Sequence, residues 1–348
     1  MKAITFQGKD TVEYESVPDP RIESPDDAIV RVSLTAVCGS DLHVYHEREK
    51  GQERGTVMGH EFVGEIVEVG QAVYHFEQGY RAMSPFSTSC GVCSSCRTGL
   101  TGRCVRGQLF GWVTNGTGLQ GGQAEYVRVP MADSTLMRIP DDVSDEEAIL
   151  LCDVFPTGYF CASMAGIVED GTYAVIGCGP VGLMAILGAR ELGAAMIYAI
   201  DPVIYRLGHA ERFGAVPIDH SKDDPLAILR GATDGRGADA VLEAVGTEEA
   251  TRTAFDLVRL GGTIAAVGVH AEVAPPFTQN EAYGKNLTYS IGRCPSRYYM
   301  ELLLPLVQEH RLDITSVITH RMPLEEAARA YELFDQKLDK CVKAVLIP

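Results

Sequence analysis

The chain has 348 residues, enough for two domains that each bury a core, and its composition (46% apolar, 22% charged) is that of an ordinary globular protein. Forty-seven acidic against 30 basic residues give a net charge of −17, which excludes nucleic acid and anionic membrane as partners, since both require basic patches. The amino end lacks a charged-then-apolar leader pattern and no run of about eighteen apolar residues occurs, so the sequence reads as cytoplasmic. In that setting ten cysteines point to reduced thiols and metal ligands rather than disulfides.

The first 150 residues predict short strands and turns. Residues 28–34 alternate loosely, and 62–69 are rich in β-branched residues between glycines. Pro and Gly interrupt the pattern every few residues, as in an irregular β-rich domain. Between these strands stand Cys38-Gly39-Ser40-Asp41-Leu42-His43 and Gly59-His60-Glu61. A buried Cys or a lone His is usually packing. Together they offer a thiolate and an imidazole, two of the three protein ligands of a zinc that keeps its fourth position open.

Cys90, Cys93, Cys96 and Cys104 fall within fifteen residues of a Gly/Ser-rich loop. Four thiolates at this density fit a closed tetrahedral zinc site that holds a loop poor in apolar material. An iron–sulfur cluster is the competing metal, and spacing alone does not separate the two.

From residue 171 the texture changes. Strands are expected near 172–176, 196–200, 216–218, 239–245, 263–267 and 287–291, with helices between most of them, the pattern of a doubly wound parallel α/β sheet. The first strand runs into Gly177-Cys178-Gly179-Pro180-Val181-Gly182 and then a helical pattern. The glycines allow a tight turn and close approach of a pyrophosphate, and the helix N-terminus offers N–H groups and positive dipole. Asp201 closes the second strand, where an acid hydrogen-bonds a ribose 2′-hydroxyl and repels a 2′-phosphate, favouring NAD over NADP. Arg206, five residues on, is expected at the ribose or adenine. The tail reads as helices over 296–310 and 323–334 and a strand over 342–347, returning to the first domain.

These motifs, in this order, resemble the zinc-containing alcohol dehydrogenases of the medium-chain dehydrogenase/reductase superfamily over essentially the whole length. The resemblance includes Asp153-Val154-Phe155-Pro156-Thr157-Gly158. It implies a GroES-like β-rich catalytic domain over 1–154 and 293–348 and a six-stranded Rossmann domain over 155–292 that binds NAD. It also implies two zinc ions, a reactive one on Cys38, His60 and Asp153 and a structural one on the four-cysteine loop. Asp153 matches the formaldehyde-dehydrogenase-like and bacterial secondary-alcohol branches. Cys152 is the neighbouring alternative, and alternation along an extended segment would turn it away. Ser40 and His43 match the family's proton relay, Glu61 a transient ligand, and Asp41 the partner that fixes the His60 tautomer. Thr157, Val245 and Val269 would line the nicotinamide, Lys343 would reach the pyrophosphate, and Phe86, Trp112 and Phe155 would wall the substrate. The implied partner is a small alcohol, aldehyde or ketone, and the implied assembly a homodimer or homotetramer. Three rivals stand beside this: a zinc-free quinone reductase, a formaldehyde dehydrogenase or dismutase, and an NADH-sensing regulatory protein.

Overall fold

The computed structural model describes residues 1–270 and 274–348. The chain divides into two compact units, Met1–Pro156 with Pro295–Pro348, and Thr157–Cys294. Among the described residues no helix is long and apolar enough to cross a membrane.

In the first unit the strand Ala28–Ala36 pairs antiparallel with both Phe62–Val69 and Tyr126–Val129. The sheet continues from Phe62–Val69 to Arg81–Ser84 and then Met137–Arg138. On its other side Ala28–Ala36 meets Lys343–Ile347, which runs parallel to Ile318–Pro323. The inward side chains build a core of Val30, Val32, Phe62, Ile66, Phe110, Val127 and Leu136. A second core gathers Ile4 and Phe6 from the first strand with Tyr331, Phe334 and Leu346 from the tail. The strand Ile318–Pro323 escapes a sequence-based reading because Ile-Thr-His-Arg-Met-Pro carries little alternation. Pro323 closes that strand, and the expected helix over 323–334 divides into a 3₁₀ turn, Leu324–Glu326, and the helix Ala327–Asp335.

Six parallel strands form the second unit's sheet among the described residues. Their order is Val216–Asp219, Met196–Asp201, Thr172–Ile176, Ala238–Glu243, Val258–Ala266 and Thr288–Ile291. In sequence terms this is 3-2-1-4-5-6, the dinucleotide-binding topology, whose strand order reverses beside the first strand. The expected strand over 239–245 ends early, at Glu243, for a local reason. The Glu243 carboxylate accepts the N–H groups of Val245 and Gly246, at 2.7 and 2.8 Å, and Gly246 takes φ +83°, so the chain turns out of the sheet.

The segment around Asp153 is helical rather than extended, which corrects the alternation expected there. Ser144 caps the helix Asp145–Cys152 in a reciprocal box with Glu147, and three acids occupy its first turn, as the helix dipole favours. Asp153 leaves helical geometry (φ −147°, ψ −64°), and a new helix, Val154–Met164, begins at once. Asp153 therefore sits at a helix–helix junction, while Cys152 ends the first helix with its thiol directed to the carbonyl oxygens of Phe62 and Ala148.

Candidate active site

Ligating atoms of Cys38, His60, Glu61 and Asp153 lie within 4.8 Å of one another in the first unit. Cys38 precedes the helix Gly39–Tyr45, His60 and Glu61 lead into Phe62–Val69, and Asp153 comes from the junction just described. Cys38 Sγ is 3.6 Å and His60 Nε2 3.4 Å from the same Asp153 oxygen. Tetrahedral zinc with bonds of about 2.3 Å to sulfur and about 2.0 Å to oxygen or nitrogen sets its ligands about 3.3–3.5 Å apart. The donor set and its spacing fit that ion.

The electrostatics point the same way. Burial, then the carboxylates of Glu61 and Asp153, push the Cys38 thiol up. Burial opposes a proton on His60, yet Asp41 and Asp153 outweigh it and hold the imidazole well above its usual range. Anionic donors converge in this buried space, and Oε1 of the fully buried Glu61 has no hydrogen-bond donor. A divalent cation satisfies all of them.

Around the donors, Asp41 Oδ1 stands 3.1 Å from His60 Nδ1, the contact that directs Nε2 toward the cluster. Ser40 Oγ lies 3.2 Å from His60 Nε2 and 3.4 Å from Cys38 Sγ, and His43 follows on the same helix. The Phe86 ring meets the His60 imidazole edge-on, with centroids 6.5 Å apart. Trp112, by contrast, packs against the core formed by the first strand and the tail, and Phe155 is wholly buried.

Lys343 departs from its expected place at a pyrophosphate. It is fully buried, and its ammonium donates to Glu61 and, at 3.1 Å, to the Val37 carbonyl. An ammonium this deep requires a counterion, and Glu61 supplies it. Replacing Lys343 by Met leaves the Glu61 carboxylate buried without its partner and is expected to cost about 3–5 kcal/mol in urea denaturation. The double variant Lys343→Met/Glu61→Gln should recover most of that loss. A single variant as stable as the parent would show that the pair does not hold this region.

The four-cysteine loop brings its sulfurs equally close. Cys93 Sγ is 3.5 Å from Cys96 and 4.0 Å from Cys104, bracketing the roughly 3.8 Å edge of a ZnS₄ tetrahedron. Backbone N–H groups of Cys90 and Arg106 reach Cys104 Sγ at 3.2 and 3.4 Å. Donation from the backbone at Cys96 and Val105 lowers the Cys93 thiol to about 6, while burial and neighbouring sulfurs raise Cys96 to about 12. A bound cation lets all four ionise together.

In the second unit, Thr172–Ile176 turns at Gly177 (φ +87°) into the helix Pro180–Glu191, whose N-cap Gly179 makes no side-chain cap bond. A Cβ on Gly182 would meet the Gly177 carbonyl oxygen at 1.7 Å, and one on Gly177 would meet Val245 at 2.5 Å. On Gly179 the nearest atom would be Arg206 Nη1 at 3.8 Å. Two glycines thus serve the protein's own packing, and the third leaves space in front of the helix N-terminus, where Pro180, Val181 and Gly182 begin the first turn. That cradle fits a pyrophosphate. Asp201 closes its strand with one oxygen on the Cys178 N–H at 2.7 Å and the other on the Val203 N–H at 2.8 Å, fixing the carboxylate beside the turn. Arg206 Nε is buried without an acceptor. Gly246 and Val269 pack backbone to backbone, which aligns the edges after the fourth and fifth strands. Thr157 lies in the helix Val154–Met164.

Two residues of the site carry no signature in the sequence. Gln123 and Tyr331 stand behind Asp41, brought there from residues far along the chain. The sole hint is that Gln123 directly follows Gly121-Gly122.

Comparison with known proteins shows the family. Residues 24–141 match the family model of the alcohol dehydrogenase GroES-like domain, and residues 180–309 that of the zinc-binding dehydrogenase. Zinc-type alcohol dehydrogenase B of Aspergillus flavus is 41% identical over 98% of this chain and 81% of its own length. The uncharacterized zinc-type alcohol dehydrogenase-like protein AdhB of Bacillus subtilis is 37% identical over all of both chains. The alcohol dehydrogenase TADH from Thermus sp. ATN1 superimposes with a TM-score of 0.93 at 39% identity, covering 100% of this chain and 99% of that one. The readings as a formaldehyde dehydrogenase or dismutase and as an NADH-sensing regulatory protein are not favoured. With its GroES-like and Rossmann-like units and a cysteine cluster consistent with a structural zinc, the chain belongs to the zinc-dependent, NAD(P)-using alcohol dehydrogenases of the medium-chain dehydrogenase/reductase superfamily, and it is an alcohol oxidoreductase.

Proposed function

We propose that the protein transfers hydride between a small primary or secondary alcohol and NAD, giving the aldehyde or ketone. The observation that carries this is the convergence of Cys38, His60 and Asp153 at zinc-ligand spacing with the Ser40 hydroxyl beside them. Zinc on these three residues is a Lewis acid that lowers the pKa of an alcohol hydroxyl, and NAD is the hydride acceptor. The protein's own work is positional. Asp41 fixes the His60 tautomer, Ser40 takes the hydroxyl proton, and His43 on the same helix hands it on to solvent. Phe86 excludes water beside His60, and Glu61 with its orphaned oxygen serves as a further, transient ligand.

Cys90, Cys93, Cys96 and Cys104 hold the second, structural zinc. Gly177, Gly179, Pro180, Val181, Gly182, Asp201 and Arg206 seat the adenosine and pyrophosphate, and Thr157, Val245 and Val269 the nicotinamide. Asp201 supports NAD rather than NADP, since its fixed carboxylate repels a 2′-phosphate. Residues 1–154 and 293–348 form the catalytic domain, and 155–292 the NAD domain. Reduced thiols suit a cytoplasmic setting. The open edge strand Thr288–Ile291, where Ile291 is half exposed, suits pairing into a homodimer or homotetramer.

The test is NADH formation with a panel of primary and secondary alcohols, repeated after metal chelation and with NADP. Turnover with NAD that chelation abolishes is the expected result. No turnover with any alcohol or carbonyl, or a preference for NADP, would overturn the reading.

A further inference from the structure

Behind His60 the hydrogen bonding continues one layer beyond Asp41. Asp41 Oδ2 accepts the Cys38 N–H at 2.9 Å and is approached by Gln123 Nε2 at 3.4 Å. The same Gln123 nitrogen donates to the Ala36 carbonyl at 3.1 Å, and its Oε1 accepts from the Tyr331 hydroxyl at 2.9 Å. Two acceptors on one side and a donor on the other fix which way the amide faces. Every donor then points down the series, from Tyr331 to Gln123 to Asp41.

Gln123 also controls the backbone approach to His60. Gly59 takes φ +89°, and a Cβ there would lie 2.4 Å from Gln123 Cγ. The Gln123 stem thus packs directly on the residue before His60, while its amide holds the carboxylate that holds the imidazole. Gln123 and Tyr331 are both fully buried. Leaving a buried amide and phenol polar costs free energy unless they are hydrogen-bonded, and an apolar pair could fill the same space. Their polarity is directed at Asp41.

We propose, on the reading of Cys38, His60 and Asp153 as metal ligands, that Gln123 is a positioning residue for His60. Anchored by Tyr331 from the C-terminal helix Ala327–Asp335, it sets both the Asp41 contact and the backbone at Gly59, and so the retention of metal by His60.

The test uses the metal-loaded full chain and two variants. Gln123→Met keeps the stem against Gly59 and removes the amide, and Tyr331→Phe removes one oxygen. The four-cysteine metal is an internal control. Zinc release to a chromogenic chelator should accelerate about tenfold from the Cys38/His60/Asp153 site, with release from the four-cysteine site unchanged. The visible bands of the cobalt-substituted protein should shift with the imidazole. Release and cobalt spectra identical to the parent in both variants would overturn the proposal. If both metals leave faster together in Gln123→Met, the fold has loosened, and Tyr331→Phe decides. Selective release there supports the role, and parallel or unchanged release overturns it. A parent chain with metal only on the four cysteines would instead refute the ligand reading itself, so the two failures are distinguishable.

Discussion

Asp153→Ala is expected to lower bound zinc from about two ions per chain to about one, and alcohol turnover by roughly 10³-fold or more, since Lewis-acid stabilisation supplies several kcal/mol. The loss should be confined to one site. The four-cysteine loop shares no residue with the cluster that includes Asp153. Cys152→Ser is the informative companion. Its thiol already faces the Phe62 and Ala148 carbonyls inside the core, so a serine there should keep both metals. Metal analysis and initial rates on the two variants read this directly. Full zinc content and full activity in Asp153→Ala would remove Asp153 from the site.

The second large effect separates two glycines of one motif. Gly179→Val places methyl groups in the space before the helix Pro180–Glu191, where the nearest protein atom to a Cβ is 3.8 Å away. The fold should tolerate it, while the KM for NAD should rise about 100-fold or more as the pyrophosphate loses its place. Gly182→Ala should do the reverse. Its Cβ would lie 1.7 Å from the Gly177 carbonyl oxygen, so the turn itself must move, with overpacking of about 1–3 kcal/mol or more and a melting temperature lower by several degrees. Thermal melts together with NAD titration distinguish the two. Undiminished NAD binding by Gly179→Val would place the cofactor elsewhere.

The contrast between those glycines also marks how far the sequence is legible. The spacing of the motif foretold a tight turn, but not which glycine answers to backbone and which to a ligand, because that depends on where Val245 and Arg206 arrive. The parallel sheet is legible because its strands are short apolar runs between helical patterns. In its fourth strand Ala-Val-Gly continues the apolar run past Glu243, while a carboxylate bond to two N–H groups ends the strand there. Cys38 and His60 announce themselves beside Ser40 and Glu61. Asp153 is legible only through a family pattern, since it stands between two helices and no strand alternation marks it. Lys343, Gln123 and Tyr331 lie outside the reach of local pattern altogether. Each is a polar residue whose partner is 82 to 306 residues away.

The first unit is assembled from both ends of the chain, and its sheet seats Lys343–Ile347 between Ile318–Pro323 and Ala28–Ala36. During synthesis at about 5–20 residues per second, the strands up to residue 138 emerge long before that place is filled. Until then Thr35 and Ala36 lack their neighbour from the last strand, Glu61 has no ammonium, and Gln123 lacks the Tyr331 hydroxyl. The nascent chain therefore carries Cys38 in an unfinished pocket, whereas the four-cysteine loop draws its ligands from one short stretch and can close early. Metal capture should follow that timetable, the loop first and the reactive position only once residues 343–347 are in place.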